Sequence, residues 1–302
     1  MVARPGTAAG TMASLDVRGR AVRPRLVPTR RPDWEGWAGW GIVAIIVALA
    51  AIGPALPLAD PHHQDLLTRL TPPAGFGGTI DHPLGTDGLG RDLLARIIAG
   101  ARISLLIGVV ATMVAGTIGV TLGLLAGFAG GIVDGAVSWL VDVQLAMPFV
   151  VIAIVIAAVM SPGLITTMAV LAATGWVGYA RIVRLRVRSL RAAPFVEAAR
   201  AIGASRSRLA TRHLLPNVAG PIVVLASQQV GAMILYEAAL SYLGLGVPPD
   251  TVTWGGMVAE GRDSLVEGWW VSAAPGLAIV ATVLGLSLIA DRWAQGSGGL
   301  RR

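Results

Sequence analysis

Residues 103–128 read ISLLIGVVATMVAGTIGVTLGLLAGF, a run that contains no charged side chain. A helix needs about 20 consecutive apolar residues to cross the hydrocarbon core of a bilayer, so this run predicts a transmembrane helix. Other predominantly apolar runs, two of which contain one acidic residue each, predict five more spans, at residues 37–58, 136–160, 164–180, 218–243 and 270–290. The sequence therefore predicts an all-α integral membrane protein with six transmembrane helices.

The composition supports the membrane class and excludes several functions. Of the 302 residues, 54% are hydrophobic and 14% are charged, whereas soluble domains carry roughly a quarter charged residues. All 24 basic residues are arginines, so a phosphate-loop ATPase, which needs a lysine, is excluded. The arginines flank apolar spans, where they indicate membrane topology rather than nucleic-acid binding. Without cysteine, and with only four scattered histidines, no metal site is expected.

The charges divide the chain into a basic arm (1–35), a membrane domain (36–290) and a short tail (291–302). Between the spans, the loop 181–217 carries nine arginines and one acid, whereas the loops 60–100 and 246–269 are acidic or balanced. Arginine-rich segments of membrane proteins lie on the cytoplasmic side. We therefore expect both termini and loop 181–217 in the cytoplasm, and the other two loops outside.

The loop 181–217 contains signals for two short helices separated by a break. Pro194 suits a helix start, and Glu197 in the first turn suits the helix dipole. Gly203 allows the backbone to turn, and Pro216 discourages a second helix from continuing. From composition alone, the element could bind anionic lipid heads or dock on a protein.

The order of residues in this loop resembles the coupling motif of bacterial ABC importer permeases. We expect Ala198, Ala199 and Ile202 to lie on one side of the first helix, with Arg200 near them. The residues that match the motif are Glu197, Ala198, Ala199, Gly203, Leu215 and Pro216. In that family, this cytoplasmic coupling-helix loop sits in a groove on the ATPase subunit, and closure of the ATPases moves the spans. The resemblance thus implies the fold of a type I ABC importer permease.

A second stretch, HPLGTDGLGRD at residues 82–92, resembles the dipeptide/oligopeptide branch, specifically its second, C-type permease. The motif residues are His82, Gly85, Thr86, Asp87, Gly90, Arg91 and Asp92. The stretches 240–246 (LSYLGLG) and 254–255 (WG) agree with this branch. Without the family, Asp87, Arg91, Asp92 and Arg96 predict a network of ion pairs on the surface.

The resemblance also implies partners and a location. They are a homologous second permease, two ABC ATPase subunits and an extracytoplasmic substrate-binding protein, in the bilayer of the bacterial plasma membrane. ATP and magnesium would bind to the ATPase subunits, and this chain would carry no cofactor and no catalytic residue. The expected substrate is a peptide, and no nucleic acid is expected.

Two acidic residues, Asp142 and Glu237, fall inside predicted spans. Ionisable groups in a bilayer are costly and mark pathways or paired groups, so both residues are candidates for the translocation path. For Glu237, exposure at the interface or pairing with a neighbouring helix is the alternative.

Three other functions stay open. The same transporter could carry nickel or another small solute, since a binding protein selects much of the cargo. A stand-alone ion-coupled carrier would favour several acids or histidines in mid-membrane, of which the sequence offers at most two. A purely structural membrane anchor would have no ATPase partner.

Overall fold

The computed structural model describes residues 33–205 and 208–299. The predicted basic arm lies almost entirely outside the described residues, as do the last three residues of the tail. The described residues form helices, turns and one isolated bridge between Thr86 and Asp92, without a strand. Their α-helices are α1 (Asp33–Ile52), α2 (Leu93–Ala129), α3 (Gly131–Ala146), α4 (Phe149–Val159), α5 (Leu164–Arg191), α6 (Pro194–Ala201), α7 (Leu215–Tyr242), α8 (Trp254–Glu260) and α9 (Trp270–Gly299).

Four segments of the described chain are long and apolar enough to cross a membrane: Trp34–Ala55, Leu93–Ala129, Leu209–Tyr242 and Trp270–Gln295. The bent pair α3–α4 would make a fifth. Helix α5 is not among them, because its C-terminal half carries five arginines after the apolar residues 164–180. The all-helical membrane class is confirmed, whereas the predicted count of six spans is not.

The predicted third span differs from a single straight helix. Helices α3 and α4 meet at an angle of 93°. At the break, Met147 has an extended backbone, with φ −98° and ψ 125°. Pro148 causes this geometry, because proline lacks an N–H and disfavours the helical conformation of the residue before it.

Helix α2 packs closely along α5 through glycines spaced four residues apart. A β-carbon at Gly119, Gly123 or Gly127 would come within 2.2, 2.6 or 2.8 Å of carbonyl oxygens of α5. The absence of side chains therefore lets the two backbones approach each other. The next glycine at this spacing, Gly131, instead begins α3 with a φ of 53°, and no atom of the described part of the chain lies within 4 Å of its β-carbon position.

The remaining helices complete the bundle around α2. Helix α7 packs on α2, α5 and α9, and α1 packs on α9 and α2. The segments before α2 and between α7 and α9 meet at one end, where the indole N–H of Trp270 donates to the carbonyl of Thr86 at 3.1 Å. We call residues 60–92 and 246–269 together the outer cap.

Candidate functional site

Helix α6 forms where the sequence predicts the coupling element. Pro194 lies in its first turn, and Glu197 also lies near its positive end. The helix ends at Ala201 with Ile202 as its C-cap, after which Gly203 adopts a φ of 82°. A residue with a β-carbon rarely adopts this left-handed conformation, so Gly203 permits the reversal of the chain. The predicted short helix and its break are confirmed.

The two faces of α6 differ from the prediction. Val196 and Ala199 are buried, whereas Ala198 is exposed and Ile202 is 86% exposed. The prediction that Ala198, Ala199 and Ile202 share one side is therefore wrong for Ala199. The buried pair is three residues apart, which places both on one helical face. This face packs against a cluster formed by Val183, Val187, Leu209, Leu214 and Val218.

The opposite face of α6 is exposed and partly apolar. We call Phe195, Ala198 and Ile202 the docking face, because they lie at positions i, i+3 and i+7 of the same helical stripe. Phe195 is 41% exposed. Glu197 and Arg200, both exposed, lie beside this stripe.

The second half of the coupling loop does not form a separate short helix. A π-helical segment, Leu209–Leu214, leads directly into α7, and Pro216 lies in the first turn of α7. The prediction that Pro216 ends the second helix is wrong, because proline is tolerated in a first turn, where its missing N–H is not needed. Leu215 packs partly on the cluster behind α6, and Pro216 is exposed. Helix α6 is thus fixed between the end of α5 and the start of α7.

An ion pair that the sequence did not reveal joins α3 to the end of α5. Arg184 donates to Asp134 through Nε, and through Nη2 at 3.0 Å. Arg188 Nη1 lies 3.6 Å from the same carboxylate. These arginines are in the last turns of α5, so the pair fixes α3 close to the coupling loop.

The outer motif is organised around the buried carboxylate of Asp87. One oxygen accepts hydrogen bonds from the backbone N–H groups of Leu89 and Arg91, at 2.8 and 3.0 Å. The other accepts from Arg91 Nε at 2.6 Å and from Arg96 Nη1. Both arginines also contact Glu260, at 2.6 and 3.0 Å.

Three residues of the predicted charge cluster, Asp87, Arg91 and Arg96, are therefore paired, but the centre of the network lies in the interior, and Asp92 contacts His82 instead. Asp87 is 2% exposed and Arg96 is 1% exposed. From the sequence, Glu260 is assigned only to the acidic loop 246–269. In the structure, its contacts with Arg91 and Arg96 join this loop to the 60–92 part of the outer cap. No local sequence pattern indicates this contact.

The other motif residues shape the backbone of the outer cap. Asp92 caps α2 by accepting from Ala95 N at 2.8 Å, and its second oxygen lies 2.9 Å from His82 Nδ1. Thr86 accepts from the backbone N–H of Thr71 at 2.9 Å. Gly85 and Gly90 have φ values of 81° and 73°, and a β-carbon on either would collide with a carbonyl of the 65–73 segment. All seven motif residues thus hold the loop before α2.

Glu237 is completely buried between α7 and α8. Its Oε1 accepts hydrogen bonds from Ser241 at 2.8 Å and from Thr253 at 2.9 Å. The backbone of Gly255 packs against Oε2, since a β-carbon there would lie 2.6 Å from this oxygen. Because Thr253 also caps α8, the carboxyl group attaches the outer cap to α7.

We expect Glu237→Gln to unfold close to the wild-type temperature, because a glutamine oxygen still accepts both hydroxyl hydrogen bonds. Glu237→Leu removes this acceptor and should cost about 1–3 kcal/mol. Tryptophan fluorescence during heating of the solubilised protein measures both effects. Loss of solute uptake by a stable Glu237→Gln protein would contradict a purely structural role and favour the path.

Asp142 lies exposed on α3, whereas Glu237 is buried between α7 and α8. The place of both acids in the path stays a prediction. Among the described residues, no group of three or more His, Asp or Glu side chains could hold a metal ion.

Comparison with known proteins agrees with both motifs. A family model described as binding-protein-dependent transport system inner membrane component matches residues 119–296. The di/tripeptide transport system permease protein DppC of Pseudomonas aeruginosa (strain UCBPP-PA14) is 41% identical over 248 residues, 82% of each chain. The oligopeptide transport system permease protein OppC of Bacillus subtilis (strain 168) is 37% identical over 250 residues, 83% of this chain and 80% of the relative.

The fold is also similar to a solved structure, the MetNI methionine ABC transporter in an inward-facing conformation. One of its chains superposes with a TM-score of 0.55 at 20% identity, over 67% of this chain and 95% of that chain. This likeness supports the fold alone. The resemblance to C-type permeases that the two motifs predicted is confirmed by the relatives. The chain belongs to the binding-protein-dependent transport system inner membrane components, the permease subunits of ABC transporters.

Proposed function

We propose that this chain is one of two permease subunits of an ATP-driven importer of dipeptides or oligopeptides. It is a transport component and not an enzyme, and it spans the bacterial inner membrane several times. It would form half of the translocation path and couple it to separate ATPase subunits. The observation that carries this proposal is α6, a short helix with a buried inner face and an exposed apolar docking face.

The coupling role follows from how α6 is held. Its inner residues Val196 and Ala199 pack on the cluster that α5 and the start of α7 form, whereas its docking face is free among the described residues. A force on α6 would therefore act directly on two long helices. Binding of ATP elsewhere would bias the equilibrium between inward- and outward-open bundles through different contacts with α6. The residues proposed for coupling are Glu197, Ala198, Ala199, Arg200, Gly203, Leu215 and Pro216.

Membership in the family implies ATPase and permease partners in general. The specific set that we propose is a homologous second permease, two ABC ATPase subunits that bind ATP and magnesium, and an extracytoplasmic substrate-binding protein. The arginines at the end of α5 and in the coupling loop support a cytoplasmic position for this end of the bundle. Both termini would then also be cytoplasmic, with the outer cap on the opposite side.

The peptide cargo is proposed from the names of the relatives. In addition to the two permeases named above, the probable D,D-dipeptide transport system permease protein DdpC of Escherichia coli (strain K12) is 36% identical over 83% of this chain. A different cargo, such as nickel or another small solute, is the second candidate. It would use the same machine with a different binding protein.

Gentle solubilisation of the tagged chain from its native membrane tests the proposal. We expect a second permease and ATPase subunits to co-purify and to be identified by mass spectrometry. Reconstituted with the binding protein, the complex should accumulate a labelled dipeptide only when ATP is present. A chain that purifies alone and still moves solute would contradict the coupling role, and a chain that purifies alone without transport would favour a membrane anchor.

A further inference from the structure

A groove of about 380 Å³ opens in the membrane-spanning part of the bundle. Helix α2 forms one wall from Thr112 to Thr121, α5 contributes Tyr179, and α7 contributes Ile222 and Ala226. This part of α2 lies in the charge-free run 103–128, so the groove is within the bilayer. Tyr179 is two residues before Arg181, and Ile222 is four residues after the start of its predicted span, so the groove is towards the arginine-rich end of the bundle. Among the described residues, no ionisable side chain other than the Tyr179 phenol lines it.

Two hydroxyl groups in this groove lack hydrogen-bond partners. Tyr179 is 1% exposed and Thr112 is 4% exposed, and neither hydroxyl is bonded to any described residue. The two threonines at the rim are different, because Thr117 and Thr121 each donate to a carbonyl one turn earlier in α2, at 2.8 and 2.7 Å. A buried hydroxyl without a partner costs free energy, and lipid chains offer none.

The packing brings the two unpartnered hydroxyls to one region. Gly116 makes room for the tyrosine ring: a β-carbon at this position would lie 3.5 Å from Tyr179 Cζ, the atom that carries the hydroxyl. Thr112 precedes Gly116 by four residues and therefore lies on the same face of α2, one turn away. The Tyr179 ring and the Thr112 side chain thus border the same strip of α2.

We propose that Tyr179 and Thr112 bind the transported solute as it crosses the bilayer, by donating hydrogen bonds to an uncharged oxygen such as a peptide carbonyl. This inference rests on the proposed function. Both hydroxyls are donors, and the absence of charged groups in the lining makes the site unsuited to the charged ends of a peptide. The remaining lining is mostly apolar, which suits a side chain of the cargo.

The size of the groove favours a small solute over a helix of a partner subunit. Pockets for small ligands have volumes of about 300–1,000 Å³, and this groove falls within that range. Along α2 it extends from Thr112 to Thr121, which is about 14 Å of helix. A packed transmembrane helix would instead need a groove that continues across much of the ~30 Å hydrocarbon core.

The test uses the complete transporter, reconstituted in liposomes with its binding protein and supplied with radiolabelled dialanine. Tyr179→Phe and Thr112→Val each remove a hydroxyl and keep the shape of the side chain. We expect each to lower dialanine uptake about threefold to tenfold, because each removes one hydrogen bond to the solute.

The matched control is Tyr242→Phe, which removes a phenol hydroxyl outside the groove and keeps the ring contact with Arg262. Uptake by this variant should equal that of the wild type.

Thermal unfolding and co-purification of the second permease distinguish solute binding from other roles. Because the hydroxyls have no partner among the described residues, neither substitution should lower the unfolding temperature or the yield of the second permease. A reduced yield of the second permease would overturn the inference and identify the groove as a subunit interface. Normal uptake by both variants would overturn it as well, while leaving the proposed function intact. Absence of ATP-driven uptake of both dialanine and a labelled oligopeptide by the wild-type complex would overturn the proposed function and this inference with it.

Discussion

The Asp87→Asn variant should unfold at a temperature on the order of 10 °C below that of the wild type, because it breaks a buried ion pair. The Asp87 carboxylate is 2% exposed and contacts two arginines, of which Arg96 is 1% exposed. Without this negative charge, Arg96 keeps only its contact with the partly exposed Glu260. Removing one partner of a buried pair costs about 3–5 kcal/mol, since the other charge remains desolvated.

The matched control is Asp263→Asn in the same outer cap. Asp263 is paired with Arg262, but their side chains are 81% and 47% exposed, and such exposed pairs contribute about 0–1 kcal/mol. Tryptophan fluorescence during heating compares both variants with the wild type in one detergent. Equal unfolding temperatures for Asp87→Asn and Asp263→Asn would show that the buried network does not stabilise the outer cap.

The buried network also marks a limit of prediction from sequence. The charges of Asp87, Arg91 and Arg96 are visible in one short stretch, and their mutual pairing follows from that spacing. Their burial depends on Glu260 and Trp270, which lie more than 160 residues away in the chain. A contact between such distant segments has no local pattern, so the sequence indicated the charges but not the interior in which they lie.

Helix ends were easier to predict than helix faces. Pro194 and Gly203 act through their own backbone preferences, and α6 begins and ends close to them. The face that α6 buries depends on α5 and α7, which select Val196 and Ala199. The spacing of three between these residues was a usable signal, because it matches one helical face.

Proline had a different effect at each of two positions. Pro148 breaks the third predicted span at 93°, although the apolar run continues through it. Pro216 leaves α7 intact, because a π-helical segment precedes it and places it in a first turn. Hydropathy alone cannot distinguish these cases, whereas the position of each proline within its helix decides between them.

Gly203→Val should reduce ATP-driven uptake about fivefold to thirtyfold while the complex still assembles. The φ of 82° at Gly203 is unfavourable for residues with a β-carbon by roughly 1–2 kcal/mol, and most so for a β-branched one. No atom of the described residues lies within 4 Å of the β-carbon position, so the cost arises from the backbone. The turn after α6 would then rearrange more readily, because such an energy lowers the ratio of the correct to the rearranged conformation by a factor of about 5–30.

Comparison with Gly203→Asn separates the backbone effect from the loss of a docking surface. Asparagine tolerates the left-handed conformation, so this variant should retain most of the uptake.

Glu197→Lys should act through the docking contact and not through the backbone. Because Glu197 is exposed, the substitution should keep the stability of the protein. The reversed charge should, however, weaken the contact of α6 with the ATPase. Uptake and ATP hydrolysis are measured on the same liposomes, and we expect hydrolysis to continue while uptake falls. If Glu197→Lys kept full uptake, α6 would not couple the ATPase to the path. For the glycine variants, equal loss of uptake by Gly203→Asn and Gly203→Val would show that the turn geometry is not the cause.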